Sequence, residues 1–199
     1  MKEDLFKVLI LFLSFTGILL SSNMVNNEYE YISIDFVPYS TSKTSIGINL
    51  YENSYSNYEF NVHNWFSDNL CFSGSFRPIL IEDDMYLKHN LAIKYSSNFK
   101  SEIFKSLVLG LNYQKIKYKD DINYNYKGIL YFLLASIKIK SIWILPSYGK
   151  VDDQHKTNQY GFSILKSFNN KWLFTFGVNG YLNNYIDLAL PYISLRYSI

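Results

Sequence analysis

The chain has 199 residues, a formal net charge of +2 and a single cysteine. This charge is too small to indicate a nucleic-acid partner, and one cysteine excludes an intrachain disulfide. Aromatic residues make up 19% of the chain, with 19 tyrosines. Because a buried tyrosine hydroxyl needs a partner, this content favours a surface that is apolar on one side and wet on the other, such as a membrane interface.

Residues 1–23 have the layout of a secretory signal peptide. Lys2 stands in the short charged start, 8–20 is an apolar run and small polar residues follow it. The run is shorter than the roughly 20 apolar residues that a membrane-spanning helix needs. We expect cleavage near Ser21 to Asn23, with an uncleaved anchor as the alternative because acidic residues weaken the positive start. Residues 24–199 are then expected to form one domain.

The remaining sequence alternates with a period of two, and no helical period competes with it. Ile46, Ile48 and Leu50, for example, alternate with Ser45 and Asn49. Turn-like stretches rich in Asn, Asp and Ser separate such segments, which favours antiparallel pairing of neighbours. We predict eleven candidate strands: 28–37, 43–51, 57–66, 69–77, 86–96, 102–118, 122–139, 141–149, 159–168, 171–181 and 187–199.

The two faces of these strands differ in an unusual way. One face is built from Ile, Leu, Phe and Tyr. The other mixes small residues with a few charges, which are Asp35, Glu59, Arg77, Lys88, Lys94 and Arg196. This pattern is typical of a barrel whose apolar face meets lipid and whose second face lines a crowded lumen. Because isolated charges there are costly, we expect opposite signs to pair across the interior and to obstruct it.

The fold class predicted is therefore all-β, a transmembrane antiparallel up-and-down β-barrel. Ten to twelve strands are expected, or eight if some candidates extend one another. With "FNNK" and "SDN" as tight periplasmic turns, the candidate 28–37 enters from the wrong side. Either it is not a membrane strand, or one strand is missing from the set. The alternative is a soluble barrel or sandwich, which would need a well-charged outer face.

The final stretch, "PYISLRYSI", resembles the C-terminal strand of bacterial outer-membrane β-barrel proteins. Alternate residues up to Ile199 are apolar, and Tyr197 is the aromatic two positions from the end. Ile199 departs from the Phe that usually ends such strands. The resemblance is to the class and to no particular family. It implies location in the bacterial outer membrane and recognition of this strand by the outer-membrane assembly machinery.

Three lysines continue the lipid-facing parity towards the outer end of one strand, namely Lys115, Lys117 and Lys119. They are candidates for contact with the phosphates of lipopolysaccharide. The alternative is an ordinary solvated strand end.

Few residues indicate chemistry. Asp153 and His155 in "VDDQHK", with the acidic stretch 82–84, weakly resemble the catalytic arrangement of omptin proteases. His63 and His89 lack the serine setting of the lipid A deacylases and outer-membrane phospholipases. Scattered histidines and one cysteine do not form a metal site, and no phosphate-binding glycine loop is present. We therefore expect no catalysis, no cofactor and no metal.

These observations predict a small outer-membrane barrel with a structural, adhesive or narrow-channel role. Its expected partners are outer-membrane lipid, lipopolysaccharide and the assembly machinery. Two alternatives stay open. One is a barrel enzyme acting on lipid or peptide, and the other is a secreted soluble β-barrel that binds an apolar ligand.

Overall fold

The structure is a closed barrel of ten antiparallel strands. The computed structural model describes residues 34, 36–51, 58–81, 84–117, 127–152, 156–169, 171–182 and 187–199. The strands are β1 (Thr44–Tyr51), β2 (Tyr58–Trp65), β3 (Leu70–Ile81), β4 (Asp84–Asn98), β5 (Phe104–Lys117), β6 (Lys127–Ile139), β7 (Ile142–Asp152), β8 (Asn158–Phe168), β9 (Trp172–Leu182) and β10 (Asp187–Ser198). Each pairs with its sequence neighbours, and β1 pairs with β10 to close the sheet. The all-β up-and-down prediction is confirmed, as is a strand number between ten and twelve.

No helix that is long and apolar enough to span a membrane occurs in the described part of the chain. The ten strands hydrogen-bond around the whole circumference. Closure leaves no unpaired edge in the sheet, which is the condition for placing strands in lipid.

Short turns join the strands at one end of the barrel, called here the short-turn end. The connection between β8 and β9 is the "FNNK" turn, where Asn169 adopts a positive φ of 51°. Asparagine tolerates this left-handed conformation better than most residues. Between β2 and β3, the hydroxyl of Ser67 accepts hydrogen bonds from the backbone N–H of Asn69 (3.3 Å) and Leu70 (3.1 Å). Both predicted tight turns are therefore present, on the same end.

The described residues of the first predicted strand, 28–37, form no strand. Ile34, Phe36 and Val37 belong to no strand, and 28–33 with Asp35 lies outside the described residues. A turn follows, in which the N–H of Thr41 donates to the carbonyl of Pro38 at 2.9 Å. This turn separates the preceding segment from β1, so the barrel has ten strands with consistent directions.

The strands place their apolar face outward. Leu91 and Leu109 are 66% and 59% exposed on the outer surface, whereas Glu59 and Arg196 are each 1% exposed inside. A soluble barrel needs the reverse arrangement, because its outer surface meets water. The exposed belt of Ile, Leu, Phe and Tyr is the surface that lipid would cover, as predicted.

Part of the inner face is more apolar than predicted. The inner face was expected to be small and polar throughout, but half of it is packed with large apolar side chains. This apolar wall consists of Val108, Leu130, Phe132, Leu134, Trp143, Leu145, Leu165 and Leu173. Phe132 fits because its registered neighbour on β5 is Gly110, where a Cβ would lie 2.0 Å from the ring. Glycine on one strand thus makes room for an aromatic ring on the next.

Candidate functional site in the barrel interior

Polar side chains line the other half of the interior, on the inner face of β1–β4 and β10. This surface is called the polar wall, and its centre is the carboxylate of Glu59. Tyr51 donates to Oε2 at 2.5 Å, with the amide of Asn49 at 3.4 Å from the same oxygen. Asn90 donates to Oε1 at 2.9 Å, and Ser75 donates to it as well. Several neutral donors therefore hold a buried carboxylate in one position.

Positive charge predominates on this wall. The buried cations are Arg77, Lys88, Lys94 and Arg196, whereas Glu59 is the one buried carboxylate among the described side chains. Arg77 and Lys88 are directly opposite each other in the register of β3 and β4. Like charges in this position cost stability in a sheet unless other groups offset them.

Each of three cations has a defined neighbour. The guanidinium of Arg77 lies 4.8 Å from the ring centroid of Tyr51, which is a cation–π geometry. Lys94 donates to the hydroxyl of Ser73 at 2.7 Å. Arg196 lies 3.5 Å from the side-chain oxygen of Asn49. Through these neighbours the cations are held against the wall, close to the network around Glu59.

Little free space separates the side chains next to Lys94 and Asn112. The cavity that these two residues line has a volume of about 10 Å³. That is room for about one water molecule, so a hydrated ion does not fit there. Obstruction of the lumen as a whole stays a prediction.

Three described residues that precede the first strand pack inside the short-turn end of the barrel. Ile34, Phe36 and Val37 are 5%, 4% and 0% exposed and pack with the apolar wall. The indole N–H of Trp65 donates to the carbonyl of Val37 at 2.9 Å. The ring of Phe36 meets the rings of Trp65 and His63 edge to face, at centroid distances of 5.8 and 6.2 Å.

Beneath this segment, a histidine and the only cysteine lie side by side. The sulfur of Cys71 is 3.1 Å from Nε2 of His63, and both residues are fully buried. A thiol beside an imidazole is the arrangement of a nucleophile and its base. Here both groups are covered, so no substrate reaches them in this conformation. No group of three or more His, Cys, Asp or Glu suited to a metal ion occurs among the described residues.

The remaining candidates fall in different places. Lys115 lies on the outer face and is half-buried, while the side chain of Lys117 and all of Lys119 are outside the described residues. Asp35, Asp153 and His155 are outside them too. Residues 82 and 83 are likewise outside, and only the backbone of Asp84 is described. His89 faces outward against the ring of Phe76.

Sequence reasoning missed the neutral partners of Glu59, which are Asn49, Tyr51, Ser75 and Asn90. All four occupy inner-face positions of their strands, so the period-two pattern already contained the signal. What it lacked was the register between strands. Asn49 and Glu59 are cross-strand partners on β1 and β2, and Ser75 and Asn90 are partners on β3 and β4.

The fold is similar to that of known outer-membrane porins. One is a KdgM porin in complex with disordered oligogalacturonate, which is 9% identical, has a TM-score of 0.55 and is matched over 99% of its length by 78% of this chain. A second KdgM porin structure is 7% identical with a TM-score of 0.53, covering 98% of that chain and 78% of this one. No protein-family model matches the chain, and no curated protein matches its sequence. At these identities the likeness shows the fold alone, and at that level the predicted up-and-down barrel is confirmed.

Proposed function

We propose that this protein is a small, non-enzymatic barrel of the bacterial outer membrane that acts as a narrow channel favouring anions. The location is supported by the apolar outer belt around a closed sheet. It is supported further by the signal-like residues 1–23, which direct a chain across the inner membrane.

The observation that carries the channel proposal is the charge of the polar wall. Four buried cations face one buried carboxylate among the described inner side chains. Lysine and arginine side chains that line a pore favour the passage of anions over cations. The porin bound to oligogalacturonate, a polymer whose sugars carry carboxylates, suggests acidic saccharides as solutes to try on this chain.

The outer surface and the last strand suggest the partners. Lipid would cover the apolar belt, and lipopolysaccharide phosphates would meet Lys115, Lys117 and Lys119 at the outer rim. The assembly machinery would bind β10 before its pairing with β1 closes the barrel.

A second function is favoured by the packed interior. A barrel filled by the apolar wall and residues 34–37 can serve as a structural or adhesive element without conducting. Its outer loops would then carry the contacts.

Recordings in planar bilayers under a KCl gradient distinguish the two functions. For the folded, unmodified protein we expect small, infrequent openings whose reversal potential shows anion preference. Arg77→Gln should reduce this preference, because it removes a lumen charge. Lys100→Gln is the matched control, since Lys100 is exposed in the turn before β5. Cation-selective openings would contradict the proposal, and silence at all voltages would favour the structural role.

A further inference from the structure

We propose that the described residues Ile34, Phe36 and Val37, called here the N-terminal segment, belong to a removable stopper that closes the short-turn mouth of the barrel. This proposal rests on the channel function above for its purpose, but not for its geometry. The segment is part of the chain itself, and its displacement would open the interior from that end.

The contacts of the segment are those of a stopper. Phe36 and Val37 are almost completely buried although they belong to no strand. They belong to one buried apolar cluster that also contains Trp65 of β2, Trp143 of β7 and Leu173 of β9, and the ring of Phe36 contacts that of Trp65 directly. A buried element within a cluster drawn from several parts of the circumference would cover the opening between them.

The segment can leave without breaking the barrel wall. The wall is held by the ladder hydrogen bonds of ten paired strands, in which the segment has no share. Its described polar attachment to the barrel is the bond from the indole N–H of Trp65 to the carbonyl of Val37. Release of the described residues would expose apolar side chains and the carbonyl of Val37, and it would leave every strand pairing in place.

The chain is anchored directly after the segment. Ser42 donates to the carbonyl of Thr44 at 2.7 Å and shares a hydrogen bond with the hydroxyl of Ser198 at 2.8 Å. The turn that begins at Pro38 lies between this anchor and the segment. In the proposal this turn is the hinge. The chain is fixed to β1 and β10 on one side of it, and the N-terminal segment moves on the other side.

Labelling of Cys71 can be used to detect displacement of the N-terminal segment. This residue is the only cysteine of the chain and is fully buried in the same cluster as the segment. Phe36 packs on His63, which in turn contacts the thiol. Removing the segment uncovers this pair from the short-turn end, so the rate of thiol labelling measures displacement whether or not the barrel conducts.

The experiment compares labelling of Cys71 by a small methanethiosulfonate in folded protein purified in detergent. Val37→Asp places a charge in the apolar cluster, and Trp65→Phe removes the hydrogen-bond donor and some packing volume while keeping an aromatic ring. We expect at least about 10-fold faster labelling for Val37→Asp and a smaller increase for Trp65→Phe. Leu130→Ala is the matched control, because it removes apolar volume from the same cluster near the opposite end of β6. Its labelling rate should stay that of the unmodified protein.

Heat-modifiable migration in a gel establishes that each variant is folded, and Trp65→Phe tests the stopper if Val37→Asp does not fold. Rapid labelling of the unmodified protein, or equal rates in all variants, would overturn the stopper. The same samples are then recorded in bilayers. Faster labelling with larger conductance supports stopper and channel together. Faster labelling without any conductance supports the stopper and contradicts the channel function.

Discussion

The side chain of Arg196 lies across Gly47, its registered neighbour at the seam where β10 meets β1. A Cβ built on Gly47 would lie 2.4 Å from Cγ of Arg196 and 2.6 Å from the backbone oxygen of Leu195. A buried arginine thus fits at the closure of the barrel because the position opposite has no side chain. Gly47 therefore allows both the pairing of β1 with β10 and the placement of Arg196 on the polar wall.

Gly47→Ala should therefore impair closure of the barrel. The methyl group would meet backbone as well as side chain, and overpacking of this kind costs about 1–3 kcal/mol. The measurement is the fraction of protein with heat-modifiable migration after refolding in detergent, together with its midpoint of thermal unfolding.

Gly74→Ala is the control for this change. On the outer face of β3, a Cβ at Gly74 has its nearest neighbours at 3.5 and 3.6 Å, which are ordinary contacts. It should assemble as the unmodified protein does, or slightly better, since glycine in a strand costs roughly 0.5–1 kcal/mol relative to alanine. Similar behaviour of the two variants would show that the seam is not tightly packed.

Aspartate substitutions at two positions test which side chains of β5 point outward and which point into the lumen. Leu109→Asp puts a charge on the outer face, whereas Asn112→Asp adds one beside the cavity that Lys94 also lines. Charges on a lipid face cost up to about 2–4 kcal/mol for lysine or arginine and less for carboxylates. We expect loss of assembly into lipid vesicles for Leu109→Asp and retention for Asn112→Asp. Equal assembly of both would mean that the faces are wrongly assigned.

Glu59→Gln should destabilise the polar wall. The change keeps the shape but removes the charge that strengthens the bonds from Tyr51 and Asn90, and a hydrogen bond to a charged group contributes about 1.5–3 kcal/mol. Unfolding in urea should show a lower midpoint. Glu102→Gln makes the same chemical change at an exposed turn residue and should leave the midpoint unaltered. An unaffected midpoint for Glu59→Gln would show that the network contributes little.

Processing of the N-terminus can be checked by mass spectrometry. Protein recovered from the outer membrane should begin near residues 22–24, because small polar residues follow the apolar run there. Leu13→Arg places a charge in that run and should leave an uncleaved precursor outside the outer membrane. A full-length chain starting at Met1 in the outer membrane would favour the uncleaved anchor.

Much of the fold was predictable from local pattern. A strand has a side-chain period of two, so the alternation of apolar and small residues identified all ten strands of the barrel and showed which parity faces outward. Their bounds differ in places, since β3 continues to Ile81 beyond the predicted 69–77. The described residues of the candidate 28–37 form no strand, and apolar residues at alternate positions also suit a segment that packs inside a barrel mouth.

The amino-acid sequence by itself determined the class of fold, the outward apolar face and the inward position of Glu59, Arg77 and Arg196, because each depends only on parity along a strand. Tertiary structure decided what these residues meet. Closure of β1 on β10 set Arg196 over Gly47, and the register of β1–β4 gathered the donors around Glu59. The folding of residues 34–37 into the short-turn end depended on a cluster contributed by distant strands. Contacts of this kind join positions far apart in the chain, and no periodicity within one segment encodes them.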